Sequence, residues 1–107
     1  MDYLRYEVYL VNLGPTIGSE IKKTRPCVII SPNEMNENIS TIIIAPITST
    51  IRNYPTRINC HVQGKGGQIV LDQIRTTDKK RLIKKINILN KRTRLKLHKV
   101  LNEMFAE

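Results

Sequence analysis

Apolar residues in this chain come in short runs, and proline, glycine, asparagine or charge interrupts each run before it reaches useful helical length. Residues 41–49, TIIIAPITS, show the pattern most clearly: isoleucines dense enough to require burial, a proline among them, and a hydroxyl residue at either end. β-Branched runs of this length form strands buried on both faces. Residues 6–13 (YEVYLVNL), 25–31 (RPCVIIS), 68–75 (QIVLDQIR) and 82–89 (LIKKINIL) are read as strands on the same grounds. Residues 56–62, TRINCHV, alternate strictly, with Ile58, Cys60 and Val62 on one face and Arg57, Asn59 and His61 on the other, as a half-buried strand does.

The connections complete a mainly β reading. Residues 14–24 (GPTIGSEIKKT) hold two glycines and a proline with no sustained period, so they form a long loop of the kind that often carries function. Pro26 has no N–H to give a ladder and is expected at the first position of its strand, which sets Arg25 just outside, at the rim of the sheet. PNEMNENIS reads as a turn or a single helical turn, and QGKGG as a hairpin turn. Asn90 is placed to cap a closing helix whose Leu97, Val100 or Leu101, and Met104 recur at helical spacing. Short, closely spaced strands with one C-terminal helix imply a strongly bent sheet or partly open barrel. With 107 residues there is room for one domain over residues 1–107.

The charge narrows the partners. Eighteen Lys and Arg against nine Asp and Glu leave a net +9, which favours a polyanion: nucleic acid, an anionic membrane surface or an acidic protein. The N-terminal MDYLRYEVYL has neither the basic nor the apolar region of a signal peptide. No window reaches the roughly 18 apolar residues of a spanning helix, so the expectation is a cytoplasmic protein with no membrane role. Cys27 and Cys60 sit in apolar runs without CxxC spacing, so buried free thiols are expected, with no metal and no cofactor. Dinucleotide, P-loop, HExxH and GxSxG motifs are absent.

One constellation could do chemistry. Glu20 and Arg25 flank the first central strand, Thr48 and Ser49 end the second, and Asp72 and Gln73 lie in the third. Metal-free cleavage of RNA needs a group to take the 2′-hydroxyl proton, a cation for the pentavalent phosphate and a donor to the leaving oxygen. Carboxylate, guanidinium and hydroxyl suit those tasks. His61 and His98 are the other acid–base candidates, but one lies on the polar face of a strand and the other on a charged helix.

In order and spacing, VNLGPTIGSE…KTRPCVIIS, IIIAPITS and VLDQIRTTDKKRL resemble the blocks of the MazF/PemK family of toxin endoribonucleases, from about Val8 to Leu82. The resemblance implies an SH3-like, partly open barrel of the MazF/PemK/CcdB kind with a C-terminal helix, acting as a homodimer. It implies metal-independent cutting of single-stranded RNA, chiefly mRNA, at short sequences, leaving 2′,3′-cyclic phosphate or 3′-phosphate and 5′-hydroxyl ends. It also implies an acidic, MazE-like antitoxin. Carried onto this chain, the catalytic residues are Arg25, Thr48 and, as base or orienter, Glu20. RNA contacts would come from Ser19, Lys22, Lys23, Ser49, Asp72 and Gln73, and specificity from the loops at residues 14–24 and 49–56. The chain departs from the PemK-like branch in having Ser19 in place of His, and Val70 in place of the Arg of an Arg-x-Asp set that ends at Asp72. Two alternatives stay open: a non-catalytic nucleic-acid-binding barrel, and a gyrase-directed toxin of the same fold.

Overall fold

The computed structural model describes residues 2–14 and 24–107. Among these residues, seven strands and two α-helices follow one another as β1 (Glu7–Asn12), β2 (Thr24–Ile29), α1 (Asn33–Asn38), β3 (Thr41–Thr48), β4 (Arg57–Val62), β5 (Lys65–Val70), β6 (Arg75–Asp78), β7 (Leu82–Ile88) and α2 (Lys91–Phe105). The antiparallel sheet runs β4-β5-β3-β2-β1-β7. β3 carries β2 on one edge and divides its other edge between two partners, β6 along Thr41 to Ile44 and β5 at Ile47 and Thr48. Pro46 falls between those two ladders, where a missing N–H is tolerated. This change of partner curls the sheet into a half-barrel.

Alternation along β1, β2 and β3 buries both of their faces. Val8, Val28, Ala45 and Ile47 join Ile58, Cys60, Ile69 and Leu97 in one core, while Tyr9, Cys27, Ile29, Ile42 and Ile44 form a second on the opposite face. Helix α2 closes the first core. Asn90 Oδ1 accepts from Thr93 N at 2.9 Å, the expected cap, a bond that contributes about 1 kcal/mol. Leu97 points into the core with no exposed surface, and Val100, Leu101 and Met104 pack beside it. Among the described residues, no helix is long and apolar enough to cross a membrane.

Three expectations are corrected. Residues 68–75 do not form one strand: β5 ends at Val70, a 3-10 turn at Leu71–Gln73 makes a corner, and β6 begins at Arg75. The QGKGG turn is shorter than its glycines suggest. Gln63 (φ 52°) and Gly64 (φ 80°) both take the left-handed region, as a two-residue hairpin loop requires, and Lys65, Gly66 and Gly67 already belong to β5. Pro26 is the third residue of β2 rather than the first, so Arg25 lies within the strand, paired with Val11 of β1. The ladder to β3 starts only at Cys27, which leaves Pro26 in an unpaired stretch of that edge.

Tyr6, just before β1, is a left-handed non-glycine residue at φ 75°. Its N–H donates to the Ile29 carbonyl at 2.8 Å and its carbonyl accepts from Leu89 N at 3.0 Å. The ring lies under Arg94 at 4.6 Å and Arg5 at 5.4 Å, and the phenol is hydrogen-bonded to His98 Nε2. Arg94 also donates from Nε to the Leu89 carbonyl at 2.8 Å, which explains this cation in the first turn of α2 despite the helix dipole.

Candidate active site

β2 and β3 bring the central pair together. Their ladder ends on this side at Cys27 and Pro46, and Arg25 and Thr48 follow just beyond that end on the two strands. Both side chains line one open cleft of about 610 Å³, with Ser49 and Thr50 beyond them. Pro26 restricts Arg25 to extended backbone, and the Cys27 thiol donates to the Arg25 carbonyl at 3.6 Å. Thr48 Oγ1 accepts from Thr50 N at 3.1 Å, which leaves the hydroxyl hydrogen available to an external acceptor.

The cleft is cationic over an apolar floor. Lys65 from the β4–β5 hairpin and Lys84 from β7 join Arg25 on its lining, above Leu10, Ile47, Val62 and Ile86, with no carboxylate among the described lining residues. Neither lysine was singled out from the sequence. Lys65 lay hidden in a glycine-rich turn. Lys84 shares a strand face with Ile86, two residues on, and that alternation was the available signal.

Backbone proximity makes one glycine essential. A Cβ built on Gly67 would sit 2.8 Å from the Thr48 carbonyl oxygen, whereas at Gly66 the nearest atom is His61 Nε2 at 3.9 Å. Gly67→Ala is therefore expected to cost about 1–3 kcal/mol through overpacking and to displace Thr48. Gly66→Ala should leave the urea midpoint close to that of the parent protein, and the two midpoints compared side by side check this.

The remaining candidates fall elsewhere. Ser19, Glu20, Lys22 and Lys23 lie outside the described residues. Asp72 and Gln73 are absent from the cleft lining. Asp72 sits at the corner after β5, where Oδ1 accepts from Arg57 Nε at 3.0 Å and Thr56 Oγ1 at 2.9 Å. Desolvation raises its pKa, but the Arg57 and Thr56 hydrogen bonds outweigh that and hold the carboxyl below its ordinary value. Gln73 is exposed beside it.

Other reactive groups are set aside by their surroundings. Neither histidine lines the cleft. His61 is exposed on β4, and burial, then the charge of Arg5, lowers the pKa of His98. Burial pushes the Cys27 thiol up to about 12 and the Cys60 thiol up to about 11, so neither is a thiolate at neutral pH. No aromatic ring is present among the described cleft residues.

Known proteins share this architecture. The mycobacterial endoribonuclease in complex with its cognate antitoxin superposes with a TM-score of 0.81 over 94% of this chain and 92% of that one, at 24% identity. MazF from Deinococcus radiodurans gives 0.82 over 100% and 99%, at 19% identity. In sequence, the endoribonuclease MazF of Staphylococcus epidermidis is 40% identical over 94 residues, covering 80% of this chain and 77% of that protein. Residues 4–105 match the family described as PemK-like, MazF-like toxin of type II toxin-antitoxin system. With a match across nearly all of its length, and with Arg25 and Thr48 converging on one cationic cleft, the chain belongs to the PemK-like, MazF-like toxin family.

Proposed function

We propose that this protein is the toxin of a type II toxin–antitoxin pair and cuts single-stranded RNA, chiefly mRNA, at a short sequence without a metal. The observation that carries the reading is that Arg25 of β2 and Thr48 of β3 line one cleft together with Lys65 and Lys84. In the reaction, the RNA 2′-hydroxyl attacks the adjacent phosphorus as its proton leaves. The 2′-O–P bond forms, the P–O5′ bond breaks, and the 5′ oxygen takes up a proton. The products are a 2′,3′-cyclic phosphate, or the 3′-phosphate made from it by water, and a 5′-hydroxyl.

Arg25 stabilises the charge that accumulates on the equatorial oxygens, a task suited to its planar fork of donors. Thr48 donates its free hydroxyl hydrogen to a phosphate oxygen. Lys65 and Lys84 hold neighbouring phosphates, and Ser49 positions the strand. Glu20 is the proposed proton acceptor or its orienter, with Ser19, Lys22 and Lys23 as proposed RNA contacts. Asp72, tied to Arg57 and Thr56, braces the end of the 49–56 loop.

The protein works in the cytoplasm, where mRNA is found, and acts as a homodimer. The exposed side chains of Ile83 and Ile88 on β7 and of Leu95 and Phe105 on α2 offer apolar surface to a second copy. An acidic, MazE-like antitoxin is the proposed inhibitor, matched by the +9 charge.

The deciding experiment incubates the purified protein with a long single-stranded RNA in EDTA and maps the ends. Cuts at one recurring short sequence with 5′-hydroxyl ends are expected. RNA bound but left whole would replace this reading with the binding barrel, and RNA neither cut nor bound would turn attention to protein targets such as gyrase.

A further inference from the structure

We infer that Gln68 is the positioning residue that fixes the 49–56 loop beside the cleft, and through that loop selects the RNA sequence cut. The inference rests on the RNA-cutting reading above. Gln68 lies in β5 directly opposite Thr48 of β3 and Asn59 of β4, and its side chain is buried with only 5% of the residue exposed. From there the carboxamide reaches the loop. Oε1 accepts from Arg52 N at 3.0 Å, and Nε2 donates to the Arg52 carbonyl at 3.1 Å and to Asn59 Oδ1 at 3.0 Å.

A neighbouring strand offers one donor and one acceptor to a residue's backbone. Here a single side chain supplies both. The arrangement is self-consistent in chemistry, because both carboxamide hydrogens and the oxygen are used and none is left orphaned in the interior. It also fixes which end of the amide is which, since the Arg52 N–H demands an oxygen and the Arg52 carbonyl a nitrogen.

The consequence is a loop anchored along its length. Thr50 N is bound to Thr48 Oγ1, Arg52 to Gln68, and Thr56 Oγ1 to Asp72. Between these anchors Ile51, Arg52, Asn53 and Tyr54 are exposed, and Ser49 and Thr50 reach the cleft lining. This is an apolar, cationic, amide and aromatic set on the loop that continues from the cleft residues Ser49 and Thr50, with the Tyr54 ring lying under Arg57 at 5.0 Å. Bases flanking the cut are read by such groups only if the backbone beneath them is held still.

The test compares wild type with Gln68→Leu, similar in length but without hydrogen bonds, on short RNAs carrying the preferred cut site or one changed base. Hydrogen exchange at the Arg52 amide is followed in parallel. The expected result is loss of Arg52 protection, a KM raised about tenfold, preference for the correct base reduced about tenfold, and kcat within about threefold. Persisting Arg52 protection would overturn the inference, and so would a fall in kcat with KM and base preference unchanged. If Gln68→Leu does not fold, Asn59→Ala frees one carboxamide hydrogen at an exposed position, and the same shifts in smaller degree decide the matter. Wild-type protein that cuts no RNA would fail the functional reading itself, while the exchange measurement would still judge the clamp.

Discussion

Arg25→Ala is expected to lower the rate of RNA cleavage on the order of a hundredfold to a thousandfold while leaving the fold intact. The size of the effect follows from the role proposed for the guanidinium. A pentavalent phosphate carries more negative charge than the diester it came from, so a cation already in place binds the transition state more tightly than the substrate. Arg25 is in place before RNA arrives: Pro26 holds its backbone extended, Val11 pairs it across β1, and the Cys27 thiol bonds its carbonyl. Little reorganisation is left for the moment of reaction. The side chain is only half-buried, so removing it opens no core cavity, and the thermal midpoint should stay near that of the wild type. Arg25→Lys should fall between the two, since an ammonium keeps the charge but loses the two-point fork. Single-turnover cleavage of one short RNA measures all three, and an alanine variant within about threefold of wild type would remove Arg25 from the mechanism.

The largest effect on stability is expected at Leu97. Leu97→Ala should cost about 2–5 kcal/mol, a large part of the roughly 5–15 kcal/mol that holds a domain of this size together. Leu97 has no exposed surface and sits in the core with Ile58, Cys60, Leu89 and their neighbours, so truncation leaves a cavity where α2 meets the sheet. Lys99, two residues further along the same helix, is exposed, and Lys99→Ala should change stability by no more than about 0.5 kcal/mol. Urea unfolding of both variants makes the comparison. Because α2 contributes nothing to the cleft lining, Leu97→Ala protein that remains folded should still cut RNA at close to the parent rate.

What the sequence disclosed was local, and what it hid depended on distant partners. The alternation of Ile58, Cys60 and Val62 reports a half-buried strand because strand side chains repeat every two residues whatever lies across from them, and the structure buries those three. Asn90 announces a helix start because capping is completed within three residues. The corner at Leu71–Gln73 carries no glycine or proline to mark it. It is made by burial of Leu71 and by the tie from Asp72 to Thr56 and Arg57, from the other end of a hairpin. The candidate site divides the same way. Arg25 and Thr48 stood out as residue types at strand ends, but their sharing of one cleft depends on how β2 and β3 lie together in the sheet. Lys65, Lys84 and the grip of Gln68 on Arg52 exist only once β4, β5 and β7 have curled round.

Tyr6 sets a limit on how this chain can vary. A left-handed backbone at a non-glycine residue costs about 1–3 kcal/mol, so glycine at that position would relieve the strain. Glycine would also discard the ring beneath Arg5 and Arg94 and the phenol bonded to His98. Any other side chain would keep the strain, and all but another hydrogen-bonding aromatic would lose those contacts. The two halves of the residue oppose replacement in opposite directions, so no single substitution on the way to a different solution is neutral. Replacing Tyr6 without loss therefore calls for concerted change in the N-terminal segment, the start of α2 and position 98.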